Sequence, residues 1–232
     1  MISGYRRSPR RRTVVASNIG RGVMKLRIIL SKIVLAAAVA ATLPVTSLAQ
    51  PGGPGKGDGP VRVPCCTCVD GTTKSVALAT GTHAWSVSGP GVSGSPNAVG
   101  VSQVAGWAAL AGAAWVAPST SASSDAPAGT YTYTVRFQAP RCVIGGRMML
   151  KGKAGGDNRV TVLLDGNQIG ATPGSTQYGF QAANFATFNA PVTSAGTHTL
   201  TVRVDNEGGP TGMVAQATLE MQCPKGAELG NS

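Results

Sequence analysis

Three cysteines within four positions, Cys65, Cys66 and Cys68, in a chain that has five in all, pose the first chemical question of this sequence. Thiols this close can hold a metal, exchange electrons or staple the chain. A tetrahedral zinc site needs four ligands, and the C-x-x-C spacing is met by Cys65 and Cys68 with no second such pair. Redox centres use the same spacing ahead of a helix in a βα context, which the flanking sequence does not offer. A staple fits better. Cys142 follows one strand-like segment and Cys223 shares the inward phase of another, so two of Cys65, Cys66 and Cys68 are expected to pair with Cys142 and Cys223. Each bond should stabilise by roughly 2 to 4 kcal/mol. The fifth cysteine is then free, unless Cys65 and Cys66 form a vicinal bond.

The rest of the reactive inventory is thin. There are two histidines, His83 and His198, and three glutamates, Glu207, Glu220 and Glu228. A paired-carboxylate glycosidase would have to recruit Asp157, Asp205 or Glu207, all in turn-like contexts. The run GVSGS at residues 91–95 lacks the second glycine of a nucleophile elbow. GPGKG around Lys56 lacks the spacing and the following hydroxyl of a phosphate loop. Catalysis is therefore not expected. Asp157-Asn158 and Asp205-Asn206-Glu207 have two further readings beside turn formation by their own side chains. Calcium takes six to eight oxygens, for which Asp157, Asp205 and Glu207 are candidates; and Asp157, Asn158, Asp205 and Asn206 are candidates for sugar contact. Aromatic rings that could lie against a pyranose are Trp85, Trp107, Trp115 and Tyr178. A tryptophan in strand phase is ordinarily core, the expectation for Trp85 and Trp115. Tyr178, in the loop-like GSTQYGF, is the better exposed candidate, and Trp107 is a second candidate.

Strands must position these groups. Residues 130–138 alternate Tyr131, Tyr133, Val135 and Phe137 with Thr132, Thr134 and Arg136, the period-two pattern of a half-buried strand. Residues 198–205, 213–223 and 159–165 repeat it, and Asp165-Gly166 supplies a turn into Gln168-Ile169. Shorter candidates are 83–88 and 148–151. Many short strands divided by Gly and Pro predict an all-β fold, a two-sheet antiparallel sandwich. Residues 104–118, VAGWAALAGAAWVAP, fit a short apolar helix about as well as a strand; 113–116 are expected as strand and the first half is left open.

The formal charge of +11 suggests nucleic acid or a membrane surface, but the basic residues are concentrated at the amino end. Residues 24–49 have a basic start, an apolar stretch over 33–43 and the small-residue cleavage signal Ser47-Leu48-Ala49, the pattern of a secretory signal peptide too short to span a membrane. Nine of the twenty basic residues precede that cut, leaving eleven against nine acids, a net charge of about +2 for the mature chain. The eleven are scattered, so nucleic acid is not an expected partner. Residues 1–23 read as a dispensable upstream extension, 50–60 as a Gly/Pro-rich tether, 61–224 as the folded domain and 225–232 as a polar tail. The expected location is outside the cytosol, extracellular or periplasmic, where disulfides persist.

The series GGDNRVTVLLDGNQIG followed by AGTHTLTVRVDNEGGPTGMVAQATLEMQC resembles secreted bacterial β-sandwich domains of the galactose-binding-like jelly-roll type, in which a D-N…V-x-L-x-G pattern precedes A-G-x-x-T-L-x-V-x-V-x-N-x-G-G-P-T-G. The match runs over residues 155–217. It departs at Asp165, where the pattern has a turn asparagine, and at His198, where it has the asparagine of N-T-L. The resemblance implies a jelly-roll-like fold and a noncatalytic extracellular module whose partner is a glycan or a cell-surface protein. A structural or adhesive surface subunit is the alternative, and a hydrolase of extracellular polymers the third reading.

Overall fold

Period-two alternation becomes sheet in every segment where it is long. The computed structural model describes residues 59–63, 73–141, 147–174 and 176–222. The expected extension, signal peptide, tail, nearly all of the tether and all five cysteines with their pairing lie outside the described residues.

Twelve strands occur among the described residues: β1 (Val61–Arg62), β2 (Thr73–Ala77), β3 (Ser86–Ser88), β4 (Val99–Gly100), β5 (Val116–Ala117), β6 (Gly129–Ala139), β7 (Arg147–Gly156), β8 (Arg159–Leu164), β9 (Asn167–Ala171), β10 (Ala186–Pro191), β11 (Gly196–Asn206) and β12 (Met213–Gln222). They form two sheets. The first runs β1-β6-β11-β8-β9, with β3 also paired to β6; the second runs β10-β7-β12-β5-β4, with β2 also paired to β12. All pairings are antiparallel except β1 with β6, which is parallel. From β6 onward the chain passes between sheets at nearly every step, and the expected two-sheet sandwich follows.

The core is the space between the sheets. Tyr131, Tyr133, Val135 and Phe137 from β6, Leu200, Val202 and Val204 from β11, and Ala215, Ala217, Leu219 and Met221 from β12 are all buried there, as the alternation predicts. Burying each of the Val, Leu, Phe and Met side chains among these contributes roughly 1.5 to 3 kcal/mol. The opposite phase of β6 and β11 puts Thr132, Thr134, Thr199 and Thr201 on the outer face of the first sheet, with Thr201 directly opposite Thr134.

The Asp165-Gly166 turn forms as expected, with φ of 49° and 83°, the positive values a two-residue hairpin turn requires. The two departures from the family pattern meet here. His198 Nδ1 lies 2.7 Å from Asp165 Oδ2, and the other carboxylate oxygen accepts the Thr199 N–H at 2.8 Å. The imidazole stacks on Phe137 at 5.5 Å. The pair ties the β8–β9 turn to the start of β11.

The ambiguous stretch 104–118 is neither a helix nor a long strand. It is a looped segment with turns, joining the second sheet through Val116–Ala117. Its alanines and glycines give no continuous apolar stripe, and its conformation is set by what it covers. Trp107 and Trp115 pack together at 4.2 Å and join Phe185 and Val214 in a second, smaller apolar cluster. Val214 points outward from β12, so this cluster caps the outer face of the second sheet. The floor must be small: a Cβ on Gly155 would come within 2.3 Å of the Phe185 ring, and one on Gly212 within 2.7 Å of Trp107. Among the described residues, no helix is long and apolar enough to cross a membrane.

Candidate binding site

The ends of β7 and β11 and the starts of β6, β8 and β12 converge at one end of the sandwich, bringing the sequence-expected residues together. Asp157 and Asn158 link β7 to β8 through a cis peptide, and Asp205, Asn206 and Glu207 close β11. The chain is fixed there by its backbone: Asp157 N–H donates to the Gly212 carbonyl at 3.1 Å, Asn158 N–H to the Asp205 carbonyl at 3.1 Å, and Gly179 N–H to the Asn158 carbonyl at 2.7 Å.

The side chains are engaged with their neighbours in the same way. The Trp107 indole N–H donates to Asp157 Oδ2 at 2.9 Å, and the Thr211 hydroxyl to the Asp157 carbonyl at 3.0 Å. Asn158 Oδ1 accepts the Glu207 N–H at 2.7 Å, and Asp205 Oδ1 accepts the Thr130 hydroxyl at 2.7 Å. Asn206 Nδ2 donates to the carbonyls of Ala126 and Pro127, and Glu207 pairs with Arg159 at 3.1 Å. Three expectations change accordingly. Trp107 is 4% exposed and presents no ring face to a sugar; it buries an apolar ring and satisfies a carboxylate. Asp157 and Asn206 are buried and serve as internal braces. Asp157, Asp205 and Glu207 each turn to a different partner, so the oxygens do not converge as calcium requires, and no cluster of three metal-ligating side chains occurs among the described residues. Trp85 and Trp115 are buried, in agreement with the sequence.

Burial pushes the Asp157 carboxyl above the usual carboxylate range, and the Trp107 N–H pulls part of the way back. An acid with a raised folded value holds its proton more tightly folded than unfolded. Stability at this site is thus fullest at low pH, where the carboxyl is protonated, and declines as pH rises from about 4 through the raised value. Asp157→Asn keeps an acceptor for Trp107 and removes the charge. Its thermal unfolding between about pH 4 and 7 should lack the decline that the parent shows; an identical slope would show that Asp157 carries no such shift.

Tyr178 stands apart. At 47% exposure it is the exposed large hydrophobic residue among those described. Phe180 meets it edge-on at 5.8 Å and 88°. Its N–H donates to the Thr176 hydroxyl at 3.2 Å, and its carbonyl accepts Asn184 Nδ2 at 3.0 Å, so the backbone that carries the ring is fixed, and the next residue, Gly179, bonds the Asn158 carbonyl.

A feature that sequence reading missed lies along the edge of the first sheet: an open groove of about 580 Å³ lined by Arg62, His83, Ser86, Asn97, Thr134 and Arg136 among others. Its walls come from four separate stretches of chain, and the one legible sign is Arg136 in the outward phase of a threonine-rich strand.

No family model matches this sequence, and no curated protein does. Solved structures do align. A β-D-glucuronidase of Dictyoglomus thermophilum superposes with a TM-score of 0.38 at 11% identity, covering 66% of this chain and 28% of the other. The β-glucuronidase of Ruminococcus gnavus gives 0.39 at 11%, covering 66% and 29%. A GH2 β-galacturonidase of Eisenbergiella tayi, bound to galacturonate, gives 0.34 at 18%, covering 65% and 26%. This chain thus spans under a third of each of these proteins' lengths, and at such scores neither their activities nor their substrates transfer to it.

Proposed function

We propose that this chain is exported and that its sandwich, of jelly-roll type, is a noncatalytic module contacting a glycan or a glycan-bearing cell surface through the loop end that carries Tyr178. The observation that carries this reading is the exposed, braced ring: an aromatic face held in position offers apolar area to a pyranose with little ordering cost. A noncatalytic role is supported by Asp157, Asp205 and Glu207, whose oxygens hold Trp107, Thr130 and Arg159 rather than facing an open cleft.

On a glycan array, Tyr178→Ala should lower the signal about tenfold, near 1.4 kcal/mol, with stability unchanged within about 0.5 kcal/mol. Glycan binding that ignores this substitution would remove the loop end as the site. Concentration-dependent polymerisation without any glycan signal would favour a structural surface subunit instead.

A further inference from the structure

We infer that the groove at the edge of the first sheet is a second binding site, separate from Tyr178, and that it takes a sugar unit bearing a carboxylate or sulfate. The site arises from an interruption in strand pairing. Along one edge of β6, β3 pairs with Thr132, Tyr133 and Thr134, and β1 pairs with Phe137 and Gln138. Both short strands lie on the edge opposite β11, which pairs with β6 over its whole length. Between them, at Val135 and Arg136, the edge opens into the groove.

Its chemistry is polar and positively charged. Arg62 stands in register with Gln138, two residues beyond Arg136 on the same outward face, which places the two arginines on a diagonal roughly 8 Å apart. Arg136 has an interaction of its own, so the exposed Arg62 is the cation on which the inference leans. Guanidinium is the side chain best shaped for two parallel hydrogen bonds to a planar anion. Asn97, Thr134 and Ser86 add amide and hydroxyl groups of the kind a polyol pairs with, the Ser86 hydroxyl also reaching the Thr134 carbonyl at 3.3 Å. His83 is oriented by a 2.8 Å contact between Nε2 and the Ala77 carbonyl. No acidic side chain and no Phe, Tyr or Trp ring lines the groove among the described residues, and the one imidazole, that of His83, is tied to the Ala77 carbonyl. A neutral sugar would thus lack a broad stacking surface there, while an anionic one meets no like charge. The volume lies within the usual range for small-ligand sites, about 300 to 1,000 Å³.

The test is calorimetric titration of the full chain with an oligogalacturonate, a sulfated galactan oligomer, the neutral galactose oligomer and sodium sulfate. One or both charged oligomers should bind, in a salt-sensitive way, and at least tenfold more tightly than the neutral oligomer or sulfate alone. Arg62→Ala should remove that preference, Arg62→Lys should restore part of it, and Tyr178→Ala should leave it unchanged. Failure of both charged oligomers to bind, equal binding of the neutral oligomer, equal binding of free sulfate, or indifference to Arg62→Ala would each overturn the inference. Loss of the preference in Tyr178→Ala would place the charged sugar at the loop end instead.

Discussion

Trp107→Ala should lower the unfolding free energy by about 3 to 5 kcal/mol, although Trp107 lies in a loop. The loss has two parts. The ring fills the cap over the second sheet, against Trp115 and above Gly212, and its removal leaves a cavity that the neighbouring rings cannot collapse into. The indole N–H also satisfies the buried Asp157 carboxylate, and a buried charge deprived of its donor bears a desolvation cost. Trp107→Phe separates the two: the apolar ring largely remains, the donor goes, and about 1.5 to 3 kcal/mol should be lost. Because that donor is what lowers the Asp157 carboxyl, the Phe variant should also lose stability more steeply as pH rises above about 4. Chemical denaturation of the three proteins at two pH values checks both statements. An alanine variant as stable as the parent would mean that the cap contributes nothing to folding.

Gly152→Val is expected to cost about 3 kcal/mol or more, enough to unfold a domain of ordinary marginal stability in mild denaturant. Gly152 lies in β7 between Phe188 of β10 and Ala217 of β12. A Cβ there would stand 2.2 Å from the Gln216 carbonyl oxygen and 2.7 Å from the Phe188 ring. A ring can turn; a backbone oxygen in a central strand cannot move without breaking the ladder. Gly100→Ala is the control, since a Cβ at that position in β4 meets nothing within 4 Å and should alter stability by no more than about 0.5 kcal/mol. Urea unfolding of both variants gives the comparison, and near-equal midpoints would refute the packing argument.

The long strands were legible because each has one face in the core and one in water, so their composition alternates with the backbone pleat. Residues 130–138, 198–205 and 213–223 match β6, β11 and β12 to within two residues at either end. The short edge strands were not. Two residues each in β1, β4 and β5 hold no period, and they become strands through their neighbours: β1 bonds to β6, β5 to β12, and β4 to β5 in turn. The polar turns were read from the sequence one by one, and their meeting at one end of the sandwich is set by the register of β8 on β11 and of β7 on β12. Their roles were misassigned at Trp107 and Asp157 because a sequence shows that a tryptophan and an aspartate exist, while their hydrogen bond joins residues fifty positions apart. Asp165 and His198, two separate departures from a family pattern, turned out to be one contact across 33 positions.

By itself, then, this sequence determined a β-sandwich, its inward faces, its principal turns and Tyr178 as an exposed ring, because each follows from local alternation, turn chemistry or composition. Tertiary structure alone decided which polar groups face outward to a ligand and which brace one another, and it alone formed the arginine-lined groove. Those outcomes depend on long-range register: which strand lies beside which, and where the pairing along β6 stops and resumes.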